Sequence, residues 1–344
     1  MTQLDLSSNM LHDEDLKILL KEIKAPRELI LSNNRLTVES ISTLLEMKHQ
    51  TLKILKLSYN PLGSKILLEL PSLFHTLKKL EVLEMEGTGL GHRLDLHNME
   101  YDTLLTQDDQ VKRKVRINIR NNHFQGNMLS EWTCKWKALP GIEALQMSGV
   151  TSDEGWEGFH QLTNFKGLKS LDFSRTVKGV LNIQDLSNFF MLDSNLHHLD
   201  LSYCNLVEHD IDMLCEGLEY NMALKSLNLK SNPKLGDRAI QKIESTDLRQ
   251  LTLLNIADCG MTNQSMDVIL QWIRHCKFNE IDVSENESLI QNRAQLKYLI
   301  QHYPQGRIFV FKMSLDEDIS LNGLDLPTGF QIQKSLITQA NPFF

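Results

Sequence analysis

Leu196-His197-His198-Leu199-Asp200-Leu201-Ser202-Tyr203-Cys204-Asn205-Leu206 is the stretch on which the reading of this chain turns. Leu199 and Leu201 stand two apart, so they share one face of an extended strand while His198 and Asp200 take the other. Past Cys204 the spacing changes, and Leu206, Ile211, Leu214 and Leu218 fall on one face of a helix. A strand, a turn at Cys204 and a helix are predicted within one short span.

The same phrase recurs along the chain. Leu52-Lys53-Ile54-Leu55-Lys56-Leu57-Ser58-Tyr59-Asn60-Pro61-Leu62 and Leu224-Lys225-Ser226-Leu227-Asn228-Leu229-Lys230-Ser231-Asn232 repeat it closely. Weaker copies centre on Leu4, Leu29, Leu83, Ile117, Leu145, Leu171, Leu254 and Ile281. The intervals between the eleven central residues run 25, 26, 28, 34, 28, 26, 28, 28, 27 and 27. In the fifth copy Phe124, Leu129, Trp132 and Trp136 keep the same helical offsets, which assigns both tryptophans to the core. A strand-turn-helix unit of this size cannot bury its two apolar faces alone, so the copies must stack. The expected fold is an α/β solenoid, a horseshoe with parallel strands on the concave face and helices on the convex face.

The turn position is filled by Asn9, Asn34, Asn60, Asn122, Asn232 and Asn286, with Cys204 and Cys259 as alternatives. There the backbone leaves the strand ladder, and a buried Asn side chain can satisfy the groups left over. A buried Cys packs there as a small hydrophobe. These eight residues are read as a structural turn ladder.

Repeats of 26 to 28 residues with a full helix and Asn or Cys at the turn resemble the ribonuclease-inhibitor-like class of leucine-rich repeats. That class includes ribonuclease inhibitor, innate-immune receptors, the Ran GTPase-activating protein, tropomodulins and capping-protein-regulating actin scaffolds. The resemblance covers residues 1 to about 312 and implies the fold, whereas function must come from sites carried on it.

The pattern departs from regularity in three places. The first motif begins at Met1 with no polar cap before it, which motivates the expectation of a fragment of a larger protein. An insertion at 91–114 is charged and irregular, as loops of solenoids often are. After Ile308-Phe309-Val310-Phe311, which reads as one last strand, residues 313–344 are expected to form a C-terminal cap or mobile tail.

Composition narrows the function. Hydrophobic residues make up 41% and charged residues 23%, enough apolar material for a continuous core. A formal net charge of −8 argues against nucleic-acid binding and makes a basic or neutral protein partner easier to accommodate. Five scattered cysteines (Cys134, Cys204, Cys215, Cys259, Cys276), with no C-x-x-C pair and no visible secretory signal, read as reduced thiols of a cytoplasmic protein. No run is long and apolar enough for a membrane span.

Chemistry leaves little trace. Glu86-Gly87-Thr88-Gly89-Leu90-Gly91 lacks the third glycine of a dinucleotide fingerprint. No cofactor, metal site or catalytic constellation is expected. The resemblance to the Ran-activating relative would need a turn arginine, for which Arg35 is the nearest match.

What remains is surface. Reading the outward strand position through the repeats gives Asp5, Ile30, Lys56, Glu84, Asn118, Gln146, Asp172, Asp200, Asn228, Asn255 and Asp282. Flanking positions add Tyr59, Glu86, Arg116, Arg120, Arg175, Tyr203, Lys230, Asp258, Glu280 and Glu285. From these, Tyr59, Glu84, Asp172, Asp200, Tyr203, Asn228, Lys230, Asn255, Asp258, Glu280, Asp282 and Glu285 form the candidate partner-binding set. An acidic strip of this kind steers a basic partner and makes its binding salt-sensitive. The expected function is a non-catalytic protein-interaction scaffold. The alternatives are a regulatory or sensing fragment of a larger actin regulator or immune receptor, and a GTPase-activating protein.

Overall fold

Every predicted repeat centre lies in a strand. The computed structural model describes residues 2–22, 26–46, 51–92, 94, 114–135, 141–156, 159–163, 165, 167–176, 179–192, 195–246, 248, 250–275, 277–304, 310–316 and 318–334. It divides into two units, Met1–Leu196 and His197–Phe344.

In the first unit, β1 (Gln3–Asp5), β2 (Glu28–Ile30), β3 (Ile54–Lys56), β4 (Val82–Glu84) and β5 (Val115–Asn118) pair in parallel. A short β6 (His123–Phe124) follows β5, and β7 (Ile142–Gln146) pairs with β5 itself. A short β8 (Thr151–Ser152) then precedes β9 (Ser170–Asp172), which pairs with β7. The register aligns Leu4, Leu29, Leu55, Leu83, Ile117, Leu145 and Leu171 strand to strand. In the second unit, β10 (His198–Asp200), β11 (Ser226–Asn228), β12 (Leu253–Asn255) and β13 (Glu280–Asp282) align Leu199, Leu227, Leu254 and Ile281 in the same way. A one-residue slip would turn every one of these side chains out to solvent, so the apolar period fixes the register.

Between strands run α1 (Asp13–Glu22), α2 (Glu39–Glu46), α3 (Ile66–Thr76), α4 (Met128–Cys134), α5 (Phe159–Leu162) and α6 (Ile183–Met191) in the first unit. The second unit has α7 (Glu208–Leu218), α8 (Gly236–Ser245), α9 (Met266–His275) and α10 (Arg293–His302). Each turns its apolar stripe onto the strands. In the eighth repeat Leu199, Leu201, Leu206, Ile211, Leu214 and Leu218 are all buried.

Two readings need correction. Phe124 is not on a helix: it sits in β6, which pairs with β8, and α4 is a short helix behind it. Phe124 is nonetheless buried and stacks on Trp132, while Trp136 lies outside the described residues. Gly91 explains the local geometry, because a Cβ there would lie 1.7 Å from the His123 carbonyl oxygen. The chain end also differs. Instead of one last strand, β14 (Val310–Leu315) and β15 (Phe330–Lys334) add two parallel strands, with Phe311 and Phe330 stacked at 5.1 Å. Most of the 91–114 insertion, Cys276 and residues 335–344 lie outside the described residues.

Candidate interaction surface

The inner surface shows how much of the outer one is left for function. Asn34, Asn60, Asn122, Asn232 and Asn286 are buried at the turn. Asn232 is representative. Its Nδ2 donates to the Leu201 and Leu229 carbonyls at 3.0 and 2.7 Å, and its Oδ1 accepts from the N–H groups of Cys204 and Leu206 at 3.1 and 2.9 Å. One amide thus ties the turn of its own repeat to that of the repeat before. Asn9 is exposed and donates to Ser7 O within its own turn. Cys204 and Cys259 are buried in the same row, each with its Sγ on carbonyl oxygens. Burial pushes the Cys259 thiol up to about 12, so it stays protonated and unreactive. The row also contains Thr88 and Thr176, each donating to a carbonyl of a Met, residues the motif search missed because it admitted only Asn and Cys.

One residue before this row, the backbone turns left-handed in every repeat. Ser8, Asn33, Tyr59, Gly87, Asn121, Gly149, Arg175, Tyr203, Ser231, Asp258 and Glu285 have φ between 51° and 67°. This conformation costs a residue with a Cβ roughly 1–2 kcal/mol, and Gly and Asn at this offset are the sequence signal that could have revealed it. Tyr59 and Tyr203 hold it despite their bulk, with 52% and 46% of their surface exposed. Gly87 leaves room for the Tyr59 ring, which would stand 2.8 Å from a Cβ there.

The outward strand row has its own backbone duty. Asp5, Asp172, Asp200 and Asp282 each accept the N–H two residues on through Oδ1, at 2.9, 3.0, 2.9 and 3.0 Å. Asn118, Asn228 and Asn255 do the same at 2.9, 3.1 and 3.0 Å. These Asx turns bend the chain out of the strand. Since Asn serves as well as Asp, the backbone demands an oxygen there and does not demand a charge.

In the first unit three outward cations, Lys56, Arg116 and Arg120, are held by carboxylates, while Asp5 and Glu86 form no ion pair among the described residues. Lys56 lies 3.4 Å from Glu84 and 3.9 Å from Glu28. Tyr59 donates its hydroxyl to Glu86, which also accepts from Asn121 at 2.7 Å. Arg120 reaches across the sheet to Asp172, whose side chain is only 11% exposed. Arg116 stands 3.8 Å from Glu143.

In the second unit the carboxylates outnumber the cations. Lys230 reaches Glu285 at 2.6 Å, and Lys312 pairs with Glu280. Both lysines are held protonated above their ordinary range, first by those hydrogen bonds. Among the described residues no Lys or Arg forms an ion pair with Asp200, Asp258 or Asp282. Burial raises the Asp258 carboxyl, reinforced by Glu285 and opposed by the Ser231 hydroxyl and the Lys230 ammonium. Asn228 donates to the second oxygen of Asp200 at 2.8 Å, while Asn255 adds a neutral cap between Asn228 and Asp282. Tyr203 stands exposed three residues beyond Asp200. Arg35, in the first unit, is an exposed turn residue whose guanidinium lies 3.9 Å from the Met10 sulfur.

Family profiles match this geometry where the repeats are most regular. The Leucine Rich Repeat profile matches residues 195–216, and a second profile, Leucine Rich repeat, matches 48–70 and 220–243. These are leucine-rich repeats. The strand register extends the leucine-rich-repeat pattern to copies the profiles do not reach. Similar solved structures include an internalin (inlF) from Listeria monocytogenes, at 14% identity over 93% of this chain and 71% of that one, TM-score 0.48. The yeast Rad7 and Elc1 complex matches at 17% identity, covering 95% and 85%, TM-score 0.49. The leucine-rich repeat-containing protein LegL7 from Legionella pneumophila matches at 17% identity, covering 89% and 98%, TM-score 0.47.

Proposed function

We propose that this leucine-rich-repeat chain is a non-catalytic interaction scaffold whose 197–344 strand surface takes a basic segment of a partner protein. The observation that carries the reading is a set of aspartates that form no ion pair with Lys or Arg among the described residues: Asp200 and Asp282, in a row where neutral Asn caps the backbone equally well, and Asp258, in the left-handed turn row. Carboxylates kept where structure does not need them raise encounter rates with a cationic partner and make binding fall with salt. Tyr203 supplies an exposed aromatic for apolar or cation–π contact beside them. The remaining candidates of this unit, Asn228, Lys230, Asn255, Glu280 and Glu285, set register and local charge around that contact, while Tyr59, Glu84 and Asp172 lie in the first unit.

Repeat intervals of 26 to 28 with a helix in most repeats support the ribonuclease-inhibitor-like class. Buried thiols outside any disulfide, Cys204, Cys215 and Cys259, support a reducing, cytoplasmic setting.

The test is capture from cell lysate at low and raised salt, wild type beside Asp200→Asn/Asp258→Asn/Asp282→Asn. Asparagine retains the Asx cap at positions 200 and 282, so the variant removes charge there and leaves the turn. The expected result is a partner held by wild type at low salt and lost both from the variant and at high salt. Recovery of the same proteins by wild type and variant at both salts would sink the proposal.

A further inference from the structure

A groove of about 840 Å³ opens in the first unit at the leading ends of β3, β4 and β5. That volume falls in the range of ligand clefts, roughly 300–1,000 Å³. Lys53, Lys78, Lys79, Lys114 and Arg116 line it, against two carboxylates, Glu81 and Glu143. Both carboxylates are already engaged: Glu81 by Lys53, and Glu143 by Arg116 at 3.8 Å and by Lys169 at 4.0 Å. Lys78, Lys79 and Lys114 are exposed and pair with no carboxylate among the described residues. Three ammonium groups with no ion pair among the described residues, in a protein of net charge −8, make a local inversion of sign. The groove is also not purely polar, because Ile54, Leu80 and Val82 form part of its lining.

We infer that this groove is a second docking surface, of opposite sign to the proposed one, and that its occupant is an acidic protein segment with carboxylates spaced by apolar residues. Four of the five cations are lysines, rotatable point charges that meet single carboxylates at varied spacing, so the lining suits spaced carboxylates. Glu81 and Glu143 repel a densely charged polyanion but leave intervals for apolar side chains to meet Ile54 and Val82. The inference does not depend on the 197–344 surface.

The experiment is fluorescence anisotropy with a fluorescein-labelled peptide of alternating glutamate and alanine, titrated with the whole chain at low and raised salt. Inorganic polyphosphate and a single-stranded RNA oligomer compete in parallel arms. Wild type should bind the peptide saturably, and Lys78→Glu/Lys79→Glu/Lys114→Glu should weaken it by about tenfold or more, while Asp200→Asn/Asp282→Asn leaves it unchanged. Circular dichroism checks that each variant is folded, which exposed lysines at these positions should not disturb; Lys78→Gln/Lys79→Gln/Lys114→Gln, expected to weaken binding less than reversal does, replaces the reversal if it fails to fold. Absence of saturable binding, binding indifferent to the lysine changes, or displacement at lower charge concentration by polyphosphate or RNA than by unlabelled peptide would each overturn the assignment.

Discussion

In residues 1–196 the strand-face cations Lys56, Arg120 and Arg116 are each paired: Lys56 with Glu84 and Glu28, Arg120 with Asp172, Arg116 with Glu143. On the strand face of residues 197–344 two ion pairs form among the described residues, and Asp200, Asp258 and Asp282 join neither. The inner rows differ as well. The second unit alternates Cys204, Asn232, Cys259 and Asn286 at near-constant interval, whereas the first interrupts its asparagines with Thr88, Val150 and Thr176. The regular region is the one that carries these three aspartates. Buried amides satisfy the inner turns, and the outer row adds an Asx cap that needs an oxygen and no charge.

The largest effect expected is on that inner row. Asn232→Ala leaves two N–H groups and two carbonyls without their partner in a buried turn. At about 1–3 kcal/mol for each unsatisfied group, partly relieved by water, the loss should reach roughly 3 kcal/mol or more. Thr176→Ala removes only long hydrogen bonds of 3.3 and 3.4 Å and should cost about 1 kcal/mol. Urea denaturation of both variants checks this, and equal losses would break the distinction between the two regions.

An intermediate effect probes the charges themselves. Arg120→Gln strands the mostly buried Asp172 carboxylate and should cost about 2 kcal/mol. Lys230→Gln breaks an exposed pair and should cost under about 1 kcal/mol. The surface consequence sharpens the comparison further. Arg120→Gln makes the first unit's strand face more acidic, so salt-sensitive affinity for labelled oligolysine should rise, measured by anisotropy in the Asp200→Asn/Asp258→Asn/Asp282→Asn background.

Much of this architecture was legible because it rests on local periodicity. Leu199 and Leu201 announce a strand, and Asn232 announces a buried turn, from neighbours in sequence alone. Arg120 and Asp172 are 52 residues apart, and nothing in either repeat signals the other; only parallel stacking brings them together. The pairing of β6 with β8 was hidden for a similar reason, since Phe124 satisfies the helical offset of its own repeat while its backbone hydrogen-bonds follow the next. The Asx role of Asp200 was hidden by its chemistry, for a carboxylate on a surface reads as charge before it reads as an acceptor. The candidate site was accordingly legible as a list of outward residues, whereas which of their charges pair required the third dimension.

The smallest effects concern pH and run in opposite directions at two aspartates of the second unit. Burial opposes the ionised form of Asp237, yet the hydroxyls of Ser265 and Thr262 and the Thr262 N–H hold its carboxyl below the ordinary value on balance. Its stabilisation is therefore present above the unfolded pKa and lost as pH falls through the folded one. Asp258 is raised, first by burial, so the fold prefers it protonated, and its contribution is lost as pH rises through the folded value. Asp258→Asn should accordingly leave stability at neutral pH within about 0.5 kcal/mol of wild type or slightly above it, while Asp237→Asn lowers it. As pH drops, Asp258 gives up its charge before an ordinary aspartate does, so affinity for oligolysine should begin to fall at a higher pH in wild type than in Asp258→Asn. Coincident pH profiles would remove Asp258 from the binding surface and leave Asp200 and Asp282 to carry it.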